Sequence, residues 1–335
     1  MENYMKPVRK IRWLIAHEPV DLFLRTANAF AEKLAELTDN AFEVEIFTPT
    51  EYKTKFEDIY KQNLSTYISG MNIFEYVDPF VLMEKGLLEL SQVHITELAK
   101  WFRQDFYALE LPFLFRDHDH AARVLEGPIG KELLSSLKDK GPVEGLAFTY
   151  SGGFRCIVSE NELTGLTDLK DVNVATSYNP VAIDTVEALG ATPVPFVIRD
   201  YLNAIAQEVE GEESLALETT IPRYLAQLQN SAKKHMLNTK HSLFLTSIIA
   251  SNAFWSELDA DTKEKFNKAV LYASRLERNW SVEEAQEFAL GNIVGVTYSE
   301  LSADEIEKFK KRVEPLYVKY KEFFYTGLVD GIIQS

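Results

Sequence analysis

Two groups of residues have the types and spacing to do chemistry. The first is Asp117-His118-Asp119-His120, alternating carboxylates and imidazoles of the kind that ligate metals. Alternate residues in a turn rarely converge on one ion without supporting hydrogen bonds, so no metal site is expected there. The second is Arg155, set among Phe154, Cys156 and Ile157. A guanidinium in an apolar segment needs an anionic or carbonyl partner when it is buried. That partner is either the anion of a bound molecule or one of the chain's own acids. Cys156 is the single cysteine, which excludes an internal disulfide and a cysteine-rich zinc site. It lies in a strand-like run and reads as a buried structural thiol. No GxSxG, HExxH, GxGxxG or GxxxxGKS/T motif occurs, so neither catalytic residues nor a cofactor are expected.

Positioning such groups takes a sizeable scaffold. At 335 residues the chain is too long for one ordinary core and fits two domains. A net charge of -16 leaves no basic face to neutralise phosphates, which argues against nucleic acid as a partner and against adhesion to anionic lipid. No window approaches the roughly 18 apolar residues of a membrane span. The N-terminal MENYMKPVRK lacks the apolar core of a signal peptide, so the chain is either cytosolic or has lost an export signal.

Strand and helix patterns alternate, which predicts an α/β protein. Ile11 to Ile15 is a short apolar run. Leu22 to Leu37 carries Ala27, Phe30, Ala31 and Leu34 at helical spacing, and Thr38, Asp39 and Asn40 stop it. Val44 and Ile46 then alternate with charges as in a strand. A second such unit runs from Val172 to Phe196, with a helix over Val181 to Leu189 ended by Gly190 in a left-handed cap. From Asp259 to Gly291 the pattern is almost unbroken helix, with Phe266, Ala269, Val270, Ala273, Leu276 and Trp280 in one stripe. At 1.5 Å per residue, about 30 residues span about 45 Å, enough to cross from one lobe to another. Ser302 to Phe324 is a further helix, with Ser302 as N-cap and Glu305 completing a capping box.

Ala108 to Gly141 reads ALELPFLFRDHDHAARVLEGPIGKELLSSLKDKG. An apolar run with a proline leads into a charged, histidine-rich turn, and two helix-like segments follow, broken at Gly127 and Pro128. This run resembles a signature of the DctP-like solute-binding proteins of tripartite ATP-independent periplasmic (TRAP) transporters. The opening IRWLIAHEPVDLFLRTANAFAEKLAELTDNAFEVEIF, the segment DLKDVNVATS and the later ALGATPVPF are similar to the same family. The resemblance extends from about Lys10 to Phe324. It is weakest over Thr50 to Leu88, where an aromatic- and Asn-rich segment reads as a surface insertion.

The resemblance implies a two-lobed periplasmic-binding-protein-like fold, with a cleft between lobes and a long lobe-spanning helix. Lobe I takes residues 8–149 and about 243–280, lobe II takes 150–242 and about 281–325, and 326–335 forms a C-terminal tail. It implies a monomeric protein of the periplasm that captures a small molecule by hinge closure and delivers it to a membrane permease. The alternative is a sensor of the same fold that reports to a membrane kinase. The family's main carboxylate-binding arginine stands at the end of a strand, and the matching residue here is Ala175. A second family arginine, in a GFR segment, is retained as Arg155. The ligand implied is therefore a small polar organic molecule, a monocarboxylate on Arg155 or a neutral polyol or amide, and not a C4-dicarboxylate. His17 and Glu18 follow the first strand, where ligands bind in open α/β sheets. His94 and Thr96 end another strand. Ser177, Tyr178 and Asn179 follow the strand of Ala175. Glu218 and Thr219, with Thr220, match a polar family segment best, although Glu210 and Gly211 offer a rival match. Phe115, Phe244 and Trp255 are aromatic candidates for the pocket floor or the core, and His241-Ser242 and Asn252 match recurrent family positions.

Overall fold

The computed structural model describes residues 8–15, 20–57, 78–196, 215–291 and 295–335. In chain order the strands are β1 (Arg9–Ile15), β2 (Phe42–Phe47), β3 (Leu90–His94), β4 (Val143–Ser159), β5 (Asn173–Ser177), β6 (Thr192–Phe196), β7 (Ala216–Thr220), β8 (His235–Asn238), β9 (Leu243–Ser251) and β10 (Thr297–Glu300). The chain divides into two compact units. One is Met1–Arg103, Gly130–Thr149 and Thr246–Asn279, and the other is Gln104–Ile129, Tyr150–Leu245 and Trp280–Ser335. Four continuous elements pass between them along the chain: the Pro128–Ser135 helix, β4, β9 and the Ala260–Leu290 helix.

In the first unit β1 pairs in parallel with β2 on one side and β3 on the other, and β3 pairs antiparallel with β9. A parallel strand covered on both faces needs apolar residues in succession rather than in alternation. Ile11, Trp13, Leu14 and Ile15 supply them, all buried. The Val20–Leu37 helix presents Phe23, Phe30 and Leu34 to this core, and Trp13 and Phe30 pack with ring centroids 5.1 Å apart. Asp39 and Asn40 end the connection in left-handed conformations (φ 51° and 59°), which short polar side chains tolerate. Phe266, at 5.9 Å from Phe30, begins the expected stripe of the 31-residue helix, and Ala269, Val270 and Ala273 continue it. The stripe then departs from expectation. Leu276 and Trp280 are only half-buried, while Ser274, Glu277, Arg278 and Ser281 are buried.

The second unit orders its strands β6-β5-β7-β4-β8-β10. β5, the Pro180–Ala188 helix and β6 form the expected strand-helix-strand, and Gly190 closes the helix at φ 91°. Ser302 caps the Ala303–Tyr320 helix by accepting from the Glu305 N–H at 3.2 Å. The Glu305 carboxylate does not complete the box. It accepts from the Leu166 N–H at 3.0 Å, because a neighbouring segment offers an unpaired donor of its own.

The division differs from the expected boundaries in two places. Residues 104–129 fall in the second unit, and 326–335 is no tail. Leu328–Gln334 is a helix with Leu328 and Ile332 buried. Both differences have one cause. Arg116 Nη1 donates to the Ile333 carbonyl at 2.7 Å, His120 Nε2 meets the Ile332 carbonyl at 2.8 Å, and Arg123 Nε donates to the Ser335 carbonyl at 3.1 Å. Donors and cations at a helix C-terminus satisfy its last carbonyls.

Within β4, Gly152 and Gly153 are both left-handed, at φ 92° and 87°. A Cβ on Gly152 would lie 2.3 Å from Thr220 Oγ1, a buried hydroxyl that donates to the Ser151 carbonyl at 2.8 Å. Gly86 is also left-handed (φ 67°) but has open space around it. Gly86→Ala is therefore expected to cost about 1–2 kcal/mol of backbone strain. Gly152→Ala is expected to cost clearly more in the same urea-unfolding measurement, and equal losses would mean that Thr220 gives way freely.

Candidate functional site

The polar centre of the second unit follows from strand register. β4 and β7 pair antiparallel with Arg155 opposite Thr220 and Ile157 opposite Glu218. Side chains alternate along a strand, so Arg155, Ile157, Glu218 and Thr220 share one face and Cys156, Val158, Leu217 and Thr219 share the other. Parallel pairing of β5 with β7 sets Ala175 beside Leu217, and the next residue, Thr176, donates its hydroxyl to Glu218 Oε2. Ala175 thus lies on the apolar face, in a cluster with Cys156, Val158, Leu217, Tyr224 and Phe288.

On the polar face, Arg155 is 1% exposed. Its Nη1 donates to Glu218 Oε2 and its Nη2 to Glu110 Oε2, each at 3.4 Å. The guanidinium carbon stands 3.9 Å from the centroid of Phe244, a cation–π contact strengthened by the absence of water. Arg223 lies over the same ring at 5.1 Å and donates to Ser151 Oγ at 3.2 Å. Glu218 Oε1 accepts from His241 Nε2 at 2.8 Å, and His241 Nδ1 is 2.6 Å from Thr239 Oγ1. Burial alone would push the Glu218 carboxyl upward. The Arg155 guanidinium, His241 and the Thr176 hydroxyl together hold it down, to about 2.

Glu110 had no signal of its own in the sequence. It ends the 3₁₀ turn Gln104–Glu110, just before the apolar LPF run. Phe113, at φ 59°, donates its N–H to the His241 carbonyl at 2.6 Å, and the Arg155 N–H donates to the Ser242 carbonyl at 2.8 Å. The signature run and the His241-Ser242 pair therefore build the walls around Arg155.

The other expected site residues fall into distinct places. His17 and Glu18 lie outside the described residues, as do Glu210 and Gly211. His94 is the N-cap of the Ile95–Trp101 helix, its Nδ1 accepting from the Thr96 N–H at 3.2 Å, and both residues are buried. Ser177 is half-buried and Tyr178 is 65% exposed. Asn179 is buried as an N-cap, accepting from the Ala182 N–H at 2.7 Å. Thr219 is 1% exposed, and its hydroxyl has no hydrogen-bond partner among the described residues. Of the aromatics, Phe244 carries the arginines, Phe115 packs near His120 at 5.8 Å, and Trp255 packs on Phe266 at 6.0 Å. Asn252 donates to the Gly141 carbonyl at 2.8 Å.

The Asp-His-Asp-His run is architectural. Asp117 caps the His118–Glu126 helix by accepting from the His120 N–H at 2.6 Å. The His118 ring packs against Phe154 at 4.8 Å and Tyr150 at 5.4 Å. Burial lowers the His118 ring to about 4, against the nearby Asp117 charge, so it folds as neutral imidazole. His120 turns to the C-terminal helix. Among the described residues no group of three or more His, Cys, Asp or Glu side chains is placed to hold a metal ion. The Cys156 thiol is buried, and that burial pushes its pKa up, away from the reactive thiolate.

The chain is thus two α/β units with four continuous elements running between them, and a buried polar centre lies in the second. Residues 17–323 match the bacterial extracellular solute-binding proteins of family 7, the DctP family, and the chain belongs to that family. It is a periplasmic solute-binding protein of the TRAP class. The chain is 24% identical over 242 residues to the C4-dicarboxylate-binding periplasmic protein DctP of Rhodobacter capsulatus, covering 72% of this chain and 71% of that one. In fold it is similar to the sugar acid binding protein of Advenella mimigardefordensis in complex with galactonate, at TM-score 0.78 and 21% identity over 98% of each chain. It is also similar to a TRAP solute-binding protein of Shewanella oneidensis with bound succinate, at TM-score 0.76 and 17% identity, covering 98% of this chain and 99% of that one.

Removing Arg155 would strand two buried carboxylates. Arg155→Ala is expected to lose about 3–5 kcal/mol of stability, read by denaturant unfolding. Acid should act on the same centre. Glu218 is depressed from an ordinary 4.5 to about 2, so its contribution is complete above 4.5 and is lost as pH falls toward 2. His118, depressed from 6.5 to about 4, likewise loses its contribution as pH falls from 6.5 toward 4. The thermal midpoint should decline from about pH 6.5 downward, and His118→Phe should flatten the upper part of that decline. A midpoint that stays level from pH 7 to 3 would contradict both assignments.

Proposed function

We propose that the protein captures a small polar organic molecule other than a C4-dicarboxylate and hands it to a TRAP-type membrane permease. The carrying observation is the pair of positions 155 and 175. Arg155 is held by Glu110 and Glu218, and Ala175 offers no charge at all. A dicarboxylate needs a cation for each end, and a carboxylate buried without one costs several kcal/mol. The Rhodobacter protein is named for such acids and the Shewanella protein holds one. We assign solute contact to Ser177 and Tyr178 after β5 and, separately, to His94 and Thr96 at the end of β3, with His17 and Glu18 beyond the described residues. Glu218, Arg155 and His241 support Thr219 and its neighbours from behind. Asn179 and His94 hold helix starts, which keeps the strand ends of β5 and β3 in place. The protein binds without turnover.

Capture works through movement about the elements that pass between the units, because a solute that favours the closed form shifts the population toward it. Small-angle scattering is expected to show a smaller radius of gyration when a solute found by thermal-shift screening is added. An unchanged radius at saturation would remove closure from the mechanism. Calorimetric titration with succinate, malate and fumarate is expected to show no binding tighter than about 1 mM, equivalent to about 4 kcal/mol. Submicromolar binding of any of the three would overturn the exclusion and would mean that another group has replaced the missing arginine.

A further inference from the structure

We infer that the two prolines of β6, Pro193 and Pro195, hold the protein monomeric. They deny the open edge of the second unit's sheet the N–H donors with which a second copy of this chain would pair.

Among the described residues three strands have a strand partner on one side only: β2, β6 and β10. An edge with open donors and acceptors is a template for another strand. Two of the three carry charges. On β2, Glu43 and Glu45 alternate with apolar residues and pair with Lys10, and Glu45 also pairs with Lys55. On β10, Glu300 pairs with Lys240 at 3.3 Å. β6 reads Thr192-Pro193-Val194-Pro195-Phe196 and carries no charge at all. It is not covered by burial either, since Thr192, Val194 and Pro195 are exposed.

The register shows what protects it. The Thr192 N–H donates to the Val172 carbonyl at 2.8 Å, and β5 and β6 run parallel with Asn173 beside Thr192. Peptide groups point to alternate sides along a strand, so Thr192, Val194 and Phe196 turn theirs toward β5. Pro193 and Pro195 turn theirs outward. Proline has no N–H, so over this stretch the outer edge offers carbonyl acceptors and no donor. Two such edges brought together would oppose acceptor to acceptor. With ordinary residues at 193 and 195, each copy would give the other two donors and two acceptors.

The test is sedimentation velocity of the full chain carrying Pro193→Thr and Pro195→Thr together, with folding checked by circular dichroism. Threonine suits a strand and restores both donors. At equal protein concentration the natural chain is expected to sediment as a monomer. The double variant is expected to show a dimer share larger by at least about tenfold. Amide hydrogen exchange over residues 192–196 should slow as the dimer forms. Adding Val194→Lys, which puts a charge on the same edge, is expected to return the variant to monomer. Pro195→Thr alone, at an exposed position, carries the same test with one donor if the double variant does not fold. A folded variant that stays monomeric overturns the inference. So does a dimer that gains no protection over residues 192–196, because another surface then makes it. Dimers of the natural chain at the same concentration overturn it as well.

Discussion

A guanidinium shut away from water must be neutralised, and much of the second unit is arranged to neutralise Arg155. Its partners come from four separate stretches of chain: Glu110 from a 3₁₀ turn, Glu218 from β7, Thr176 from β5 through Glu218, and His241 from the link between β8 and β9. The backbone of Arg155 is also engaged, with the Ser242 carbonyl on one side and the Lys240 N–H on the other. Such a network specifies one arrangement of strands, because a slipped register would leave charges buried alone. Phe244 adds an aromatic face at 3.9 Å, which an apolar aliphatic could not replace.

This arrangement changes what a retained arginine means. In a family named for extracellular solute binding, an arginine in an apolar strand invites the assignment of a ligand anchor. Here the chain supplies its own anions, and the other strand position expected to hold an arginine carries Ala175 in an apolar cluster. The polar centre then acts as a rigid support behind β7 and the end of β5. The charged signature run serves the fold in the same way. Arg116, His120 and Arg123 close the last turn of the C-terminal helix, and His118 lies over Gly153, whose added Cβ would meet its ring at 3.5 Å.

The first elements were legible because they are local. The apolar run at Ile11 to Ile15, the helix ending at Leu37 and the strand-helix-strand from Asn173 to Phe196 follow from hydrophobic period and from stop residues that act within a turn. The second half of the Ala260–Leu290 helix was not legible. Glu277 and Arg278 are buried although charged, while Leu276 and Trp280 of the expected apolar stripe are only half-buried.

By itself the sequence determined the α/β class, the family, the absence of an internal disulfide and the missing charge at position 175. These depend on composition, on local pattern and on which residue occupies a place. Only the tertiary structure decided what Arg155 faces. A lone arginine is equally consistent with a ligand's carboxylate or the chain's own, and Glu110 lies 45 positions away with nothing local to mark it. The same holds for Asp117, His118 and His120. Their spacing suggests a metal, but one side chain caps its helix, one packs on aromatic rings and one reaches a carbonyl 212 positions away. Spacing along a chain fixes distance only within a helix or strand, and beyond that range partners are set by how the strands pair and the helices pack.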